Sequence, residues 1–401
     1  MPRSTAASAP LTARPFSLVP LMAAYMACTM SMMAFVSLIG PISRALHLQT
    51  WHAGAAVTVS GVIWMLLARP WGQASDRFGR RRVLLLGTAG FTLAYWALCL
   101  FIDLSLQTLP SVAVAFIGLM LGRGLIGAFY AAVPVGGFAL IADNVEPQHR
   151  ARAMATLGAA NAVGLVVGPA VAALLARYSL SLPFYAMAIL PLLAFFVLLY
   201  KLPRQELHLA QAPSRVRLSD PRLRRPMVVA FVAMLCVSIA QITVSFYALD
   251  RLHMSPADAA QTAGIALAMV GVALICSQLV VRKLEWPPLR MIRFGALLSA
   301  AGYAGSMLVD SAWGLWLAFF VSAAGMGGVF PSFSALAANA VEASEQGATA
   351  GSIGAAQGFG VVIGPLAASL IYALEPRLPY LLAAVLLVLV AIWPNPQTKA
   401  H

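Results

Sequence analysis

Apolar positions along the chain gather into twelve long runs, with polar positions confined to the gaps between them. The runs cover residues 16–40, 52–71, 83–102, 111–141, 154–176 and 183–200, then 227–249, 260–281, 291–309, 313–337, 349–372 and 379–393. Each is close to the roughly 20 residues a helix needs to cross a bilayer. Backbone polar groups in lipid must be satisfied within the element itself, which leaves helices for isolated runs of this kind. The pattern predicts an all-α membrane protein with twelve transmembrane helices in two six-helix bundles. The ninth and tenth runs have the thinnest division, only residues 310–312. The longest gap, 201–226, holds seven basic residues, two acids and four prolines and splits the spans six and six. The expected organisation is a tail (1–15), a bundle (16–200), a linker (201–226), a second bundle (227–393) and a tail (394–401).

Basic residues orient this arrangement, because cytoplasmic loops carry an excess of lysine and arginine. With the N-terminus inside, the inner segments collect 20 basic residues and the outer loops four: Arg44, Arg177, Arg251 and Arg377. Both termini are expected in the cytoplasm, in a multi-pass protein of the inner (cytoplasmic) membrane. The first fifteen residues precede no cleavage site, so the first run is expected to stay as an anchor. The halves also repeat weakly. Shifting 145–173 by 196 residues matches nine of 29 positions, among them Gly164, Gly168 and Pro169 with Gly360, Gly364 and Pro365. Parallel repeats of this kind place a substrate at the interface between halves.

Composition excludes several classes. The chain is 61% hydrophobic and 10% charged, with a mean hydropathy of +0.85, far from the roughly 25% charge of a soluble domain. The net charge of +13 belongs to the inner loops, and no nucleic-acid partner is expected. The partners expected are a small-molecule substrate and the lipid bilayer, and the protein is expected to be a monomer. Cys28, Cys99, Cys236 and Cys276 all fall in apolar runs, with neither disulfide nor metal spacing. The six histidines are scattered over loops, so no enzyme is expected, and no phosphate-cradling loop points to ATP.

The densest chemistry lies between the second and third runs, where Gly72-Gln73-Ala74-Ser75-Asp76-Arg77-Phe78-Gly79-Arg80-Arg81-Arg82 packs one acid among four arginines. Asp76 is expected to be paired, and Gly72 and Gly79 to let two helix ends approach. The spacing G-x-x-x-D-R-x-G-R-R resembles the loop 2–3 signature of the major facilitator superfamily. Three further stretches resemble the same family. Arg123 to Gly127 is similar to its fourth-helix R-x-x-x-G motif, with Ile126 where glutamine is often found. Asp143 followed by Arg150 is similar to its loop 4–5 pattern. Gly164-Leu165-Val166-Val167-Gly168-Pro169 is similar to its antiporter signature, though Ala172 and Ala173 stand where the fuller pattern continues with glycine.

The resemblance implies a twelve-helix secondary transporter, needing no cofactor and drawing on a proton gradient. It is most similar to the drug antiporter branch, with its multidrug, tetracycline and siderophore exporters. An importer on the same fold is the nearest alternative, and a non-transporting sensor or scaffold a further one. It further implies that Asp143 pairs with an arginine of the loop 2–3 signature and that Asp76 faces the N-terminal end of the eleventh helix. Together with Gly72, Arg77, Gly79, Arg80, Arg81 and Arg150, these acids would form a latch that breaks on protonation. Arg123 would serve proton coupling, with Gly127 one turn away leaving room for its guanidinium or a partner. An ionisable group inside a span suggests function in its own right.

Polar residues at helical spacing mark a candidate cavity: Ser238, Gln241 and Ser245 in the seventh span, Asn161 in the fifth and Gln357 in the eleventh. Tyr25 and Thr29 join them from a methionine-rich first span, and methionine fits varied apolar ligands. None of the thirteen acids lies deep within a run. A lining with Arg123 and no carboxylate would favour neutral or anionic compounds over cationic dyes.

Overall fold

The computed structural model describes residues 17–202, 220–284, 286–342 and 345–394. The expected N-terminal tail, residues 203–219 of the linker, Glu285 and most of the C-terminal tail lie outside the described residues, as do the side chains of Arg150 and Arg282.

Thirteen α-helices and one 3-10 turn account for the described chain: α1 (Val19–Ala45), α2 (Thr50–Phe78), α3 (Arg80–Thr108), α4 (Val112–Tyr130), α5 (Ala132–Asn144), α6 (Pro147–Leu175) and α7 (Leu182–Lys201), then the turn Pro221–Leu223, α8 (Arg224–Asp250), α9 (Pro256–Leu284), α10 (Pro288–Ser306), α11 (Ala312–Ala338), α12 (Gln346–Tyr372) and α13 (Leu378–Ile392). Helices α4 and α5 form one span, Val112–Ile141, so ten stretches are long and apolar enough to cross a membrane. Helix α10 and the shorter apolar α13 complete the twelve. Among the described residues there is no strand.

The fourth span breaks at Ala131, where one unbroken run was expected. Pro134 gives the reason, since it has no N–H to donate to the carbonyl four residues earlier. The last residues of the expected linker are helical. Asp220 caps the turn by accepting from Arg222 N at 2.9 Å, and α8 already begins at Arg224. Helix starts elsewhere use short polar caps, with Ser111 Oγ accepting from Val114 N and Ser311 Oγ from Gly314 N.

Helix α1 packs on α6 and α7, and α8 packs on α12, α11 and α13. These two central helices hold much of the core, including Phe35, Leu38 and Ile39 of α1 and Phe246 and Tyr247 of α8. The early helices meet the late ones through α2 with α12, α6 with α9, and α1 with α8.

Candidate functional site

The α2–α3 turn is organised by Arg80. Its Nε donates to Asp143 Oδ2 of α5 at 2.9 Å, while NH1 reaches Asp76 of α2 and donates to Ser75 Oγ at 3.3 Å. The Arg80 side chain is 10% exposed and Asp76 is 54% exposed. Arg81 works in the other direction, donating to the carbonyls of Leu199 and Leu202 at 2.7 and 3.0 Å. Those carbonyls are orphans at the end of α7, where a cation is favourable. Arg77 lies over the Phe78 ring, 5.2 Å from its centroid.

Asp76 pairs with Arg80, and the side chains at 346–348 of α12, which it was expected to face, lie outside the described residues. One expectation changes here. Gly72 and Gly79 do not serve close approach: a Cβ on Gly72 would make only ordinary contact with Val135, and one on Gly79 would meet nothing within 4 Å. Gly79 is required for its backbone, φ +94°, a region that side chains rarely tolerate.

A second polar knot lies where α8 meets α12. Arg222 reaches Asp220 at 2.8 Å and Glu345, the residue before α12, at 3.0 Å. These hydrogen bonds from the guanidinium hold both carboxyls below their usual range.

Arg123 is 1% exposed, and its guanidinium sits 4.6 Å from the centroid of Phe35 of α1. Its Nε and NH1 are buried without hydrogen-bond partners, and no carboxylate pairs with it among the described residues. A desolvated cation–π contact contributes on the order of 2 kcal/mol, which offsets only part of the cost of burying the charge. Tyr95 lies beside it, stacked on Phe91 and donating to Ser31 O at 2.9 Å. Gly127 does not make room for the guanidinium, contrary to expectation. A Cβ there would fall 2.1 Å from Ser60 O, so this glycine lets α4 approach the backbone of α2.

The glycines of the antiporter-like stretch pack each half internally. Gly164 and Gly168 admit the carbonyls of Met26 and Met30, bringing α6 onto α1. Gly360 and Gly364 do the same for α12 on α8, against Phe231 O and Ser238. The prolines that follow face the other half. A Cβ on Gly264 of α9 would fall 2.7 Å from Pro169 O, and one on Gly54 of α2 would fall 2.6 Å from Pro365 O. One heptad further on, Gly271 meets Val166 and Gly61 meets Val362. Pro365 and Val362 stand 196 residues after Pro169 and Val166, and Gly264 and Gly271 stand 210 after Gly54 and Gly61. The halves are thus joined by one seam made twice.

Polar contacts reinforce these seams. Thr58 Oγ1 donates to Val362 O at 3.0 Å, Arg177 donates to Gln261 at 3.1 Å, and Arg44 pairs with Asp250. The cross-half contacts just described, from Gly54, Thr58 and Gly61 of α2, Gly264 and Gly271 of α9, Arg177 and Arg44, lie at or beyond the middle of each helix, toward the end opposite the α2–α3 turn. Toward the α2–α3 end, a Cβ on Gly158 of α6 or on Gly351, Gly354 or Gly358 of α12 would meet nothing within 4 Å.

A family model described as Major Facilitator Superfamily matches residues 21–354 and 286–398. The chain belongs to that superfamily. Its relatives include the class C tetracycline resistance protein of Escherichia coli, 30% identical over 347 residues and 80% of each chain. Multidrug resistance protein 1 of Bacillus subtilis (strain 168) is 25% identical over 353 residues, 86% of this chain and 87% of the relative. Among solved structures, a bacterial homolog of the human lysosomal transporter Spinster, inward-facing and occupied, superposes with a TM-score of 0.73 at 14% identity. That match covers 93% of this chain and 94% of the other. The human organic anion transporter MFSD10 (TETRAN) gives 0.65 at 18% identity, covering 93% and 97%. The protein is a transporter by family and not an enzyme.

Within this superfamily member the cavity candidates separate into two groups. Thr29 Oγ1 donates to Asn161 Oδ1 at 2.7 Å and lies 3.1 Å from the Tyr130 hydroxyl, whose ring is 6.2 Å from that of Tyr25. Tyr25 and Asn161 are half-buried, as are Gln241 and Gln357. Ser238 and Ser245 do not belong with them. Ser238 packs against Gly364, and Ser245 is wholly buried against Gly40 of α1 at the sealed end. Both serve helix contact, which leaves the same polar spacing in the sequence as a cavity would. Reasoning from sequence missed Tyr130, held at the break in the fourth span. It also missed the seven-residue glycine spacing repeated in the second and eighth spans, a signal present in the sequence.

Proposed function

We propose that this superfamily member is a proton-coupled exporter of small amphiphilic compounds, neutral or anionic, working by alternating access. The observation that carries this reading is the one-sided placement of the seams: the contacts named above join the halves toward one end, while glycines of α6 and α12 toward the other have free space beside them, as an opening there would give. With the arginine-rich loops in the cytoplasm, as their basic excess argues, the open end faces inward, ready to load substrate from inside the cell. Relatives named for tetracycline and multidrug resistance support the outward direction of net transport.

Arg80 then acts as the gate's common partner, holding Asp76 and Asp143 together in one cluster. Arg123 supplies a fixed positive charge beneath the cavity wall. In a low-dielectric setting its field is weakly screened and disfavours a desolvated cation nearby. No resident cofactor enters this scheme, and one chain suffices for the pathway.

The test is uptake into inside-out vesicles with an imposed proton gradient, across a panel of neutral, anionic and cationic amphiphiles. Accumulation that collapses with a protonophore supports the reading. Accumulation unaffected by the gradient, or efflux from right-side-in preparations reversed in sign, overturns it.

A further inference from the structure

Helices α9 and α10 are consecutive, yet they scarcely touch each other, and each packs on α11 instead. Between them and α11 lies a wedge with a cavity of about 240 Å³. Its lining includes Cys276, Val280 and Leu284 of α9, Met291 and Phe294 of α10, and Phe320 of α11. Val280 is 55% and Phe294 52% exposed, so the wedge opens outward from the bundle. The hydroxyl of Ser277, also in the lining, is used up internally and donates to Ala324 O at 2.7 Å. Apart from the weakly polar Cys276 thiol, the other lining side chains are apolar, and the volume is far too small for a helix about 10 Å across.

At the narrow end the character changes. Lys283 and Arg290 adjoin the lining residues Leu284 and Met291 in sequence, are exposed, and form no ion pair among the described residues. The Arg290 guanidinium lies 4.3 Å from the centroid of Trp286, and the Trp286 ring meets Phe294 edge-on at 5.5 Å. A continuous path of contacts therefore runs from cation through an aromatic ring to the apolar cavity. Tryptophan beside basic residues is the chemistry of the membrane–water interface, and paired basic groups there attract anionic lipid headgroups.

We propose that this wedge is a binding site for an anionic phospholipid, with an acyl chain in the cavity and its phosphate drawn to Lys283 and Arg290. The protein carries its own reporter, because Cys276 is exposed while Cys28, Cys99 and Cys236 are buried. Alkylation of Cys276 by N-ethylmaleimide is followed by mass spectrometry on full-length protein in detergent, with phosphatidylglycerol or phosphatidylcholine added at equal mole fraction. Phosphatidylglycerol is expected to slow the reaction about fivefold or more relative to phosphatidylcholine. High salt and the double variant K283Q/R290Q should each abolish the difference. Equal rates with the two lipids overturn the proposal. So does a preference that survives both high salt and the double variant, and so does protection by an amphiphilic transport compound but by neither lipid.

Discussion

Arg44 and Asp250 face each other across the sealed end, NH2 to Oδ2 at 2.5 Å, one from each half of the chain. Tyr372 donates to the same carboxylate oxygen at 3.1 Å, and the Arg44 guanidinium sits 5.9 Å from the centroid of Phe246. The pair is partly exposed, so it contributes no more than about 1 kcal/mol and is screened by salt. That is still enough to shift a balanced equilibrium several-fold. Asp250→Asn should raise the rate at which Ser245→Cys, buried beneath the seal, reacts with an impermeant maleimide by about two- to fivefold. An unchanged rate would show that the pair ornaments the seal without holding it.

Sharing of Arg80 makes Asp76 and Asp143 interdependent. Each single Asn variant should insert normally and slow transport. The double variant should be little worse than the more damaging single one, because both acids act through one guanidinium. Transport rates at matched expression give the answer, and strictly additive losses would separate the two acids.

The seams give a steric prediction. A side chain at Gly54 must displace Ser369 and Pro365 O, and one at Gly264 must displace Ala173 and Pro169 O. Gly54→Leu and Gly264→Leu should each prevent the sealed state and reduce transport by roughly tenfold or more, since rigid backbone carbonyls cannot give way. Gly158→Ala, with open space beside it, should transport normally. Accessibility of Ser245→Cys distinguishes a broken seal from a misfolded chain.

Arg222 predicts a pH dependence at the α8–α12 knot. Its carboxylate partners Asp220 and Glu345 have lowered pKa values in the folded protein. Their stabilisation is therefore present above the unfolded carboxylate pKa, about 4, and disappears as pH falls through the lowered folded values. Glu345→Gln should reduce thermal stability by a constant amount near neutral pH. Below the ordinary carboxylate range that difference should shrink toward zero, as melting of the two proteins across pH will reveal.

Arg123→Gln tests substrate charge. Removing the buried cation should improve handling of cationic compounds such as ethidium relative to neutral or carboxylated ones. Efflux from a pump-deficient host measures the ratio. Robust ethidium efflux by the unaltered protein that survives the substitution would remove Arg123 from the argument.

The twelve spans were legible because lipid leaves apolar runs of that length almost no alternative to helix. The break at Ala131 was legible in principle from Pro134, but a proline inside a span only permits a break and does not require one. Partner choice was harder to read. One acid among four arginines points to a paired Asp76 and the resemblance implies an arginine partner for Asp143, yet only the fold shows that the two acids share Arg80. Ser238 and Ser245 illustrate a different limit: a small polar residue suits both a wet cavity and a tight helix crossing. Glycines were ambiguous for the same reason, with Gly79 needed for its φ and Gly127 for the backbone of Ser60.

The duplicated seam has a consequence for how the molecule opens. Each half presents both surfaces of the joint, a glycine face on α2 or α9 and a proline face on α6 or α12. Such mutual self-complementarity is what a two-fold symmetric dimer uses at its interface. Here it is cut from a single chain, so the joint carries no built-in preference for which side yields first. Any preference for one side must then come from residues that break the symmetry, and Arg44 with Asp250 on one side and Arg177 with Gln261 on the other are unequal in that way.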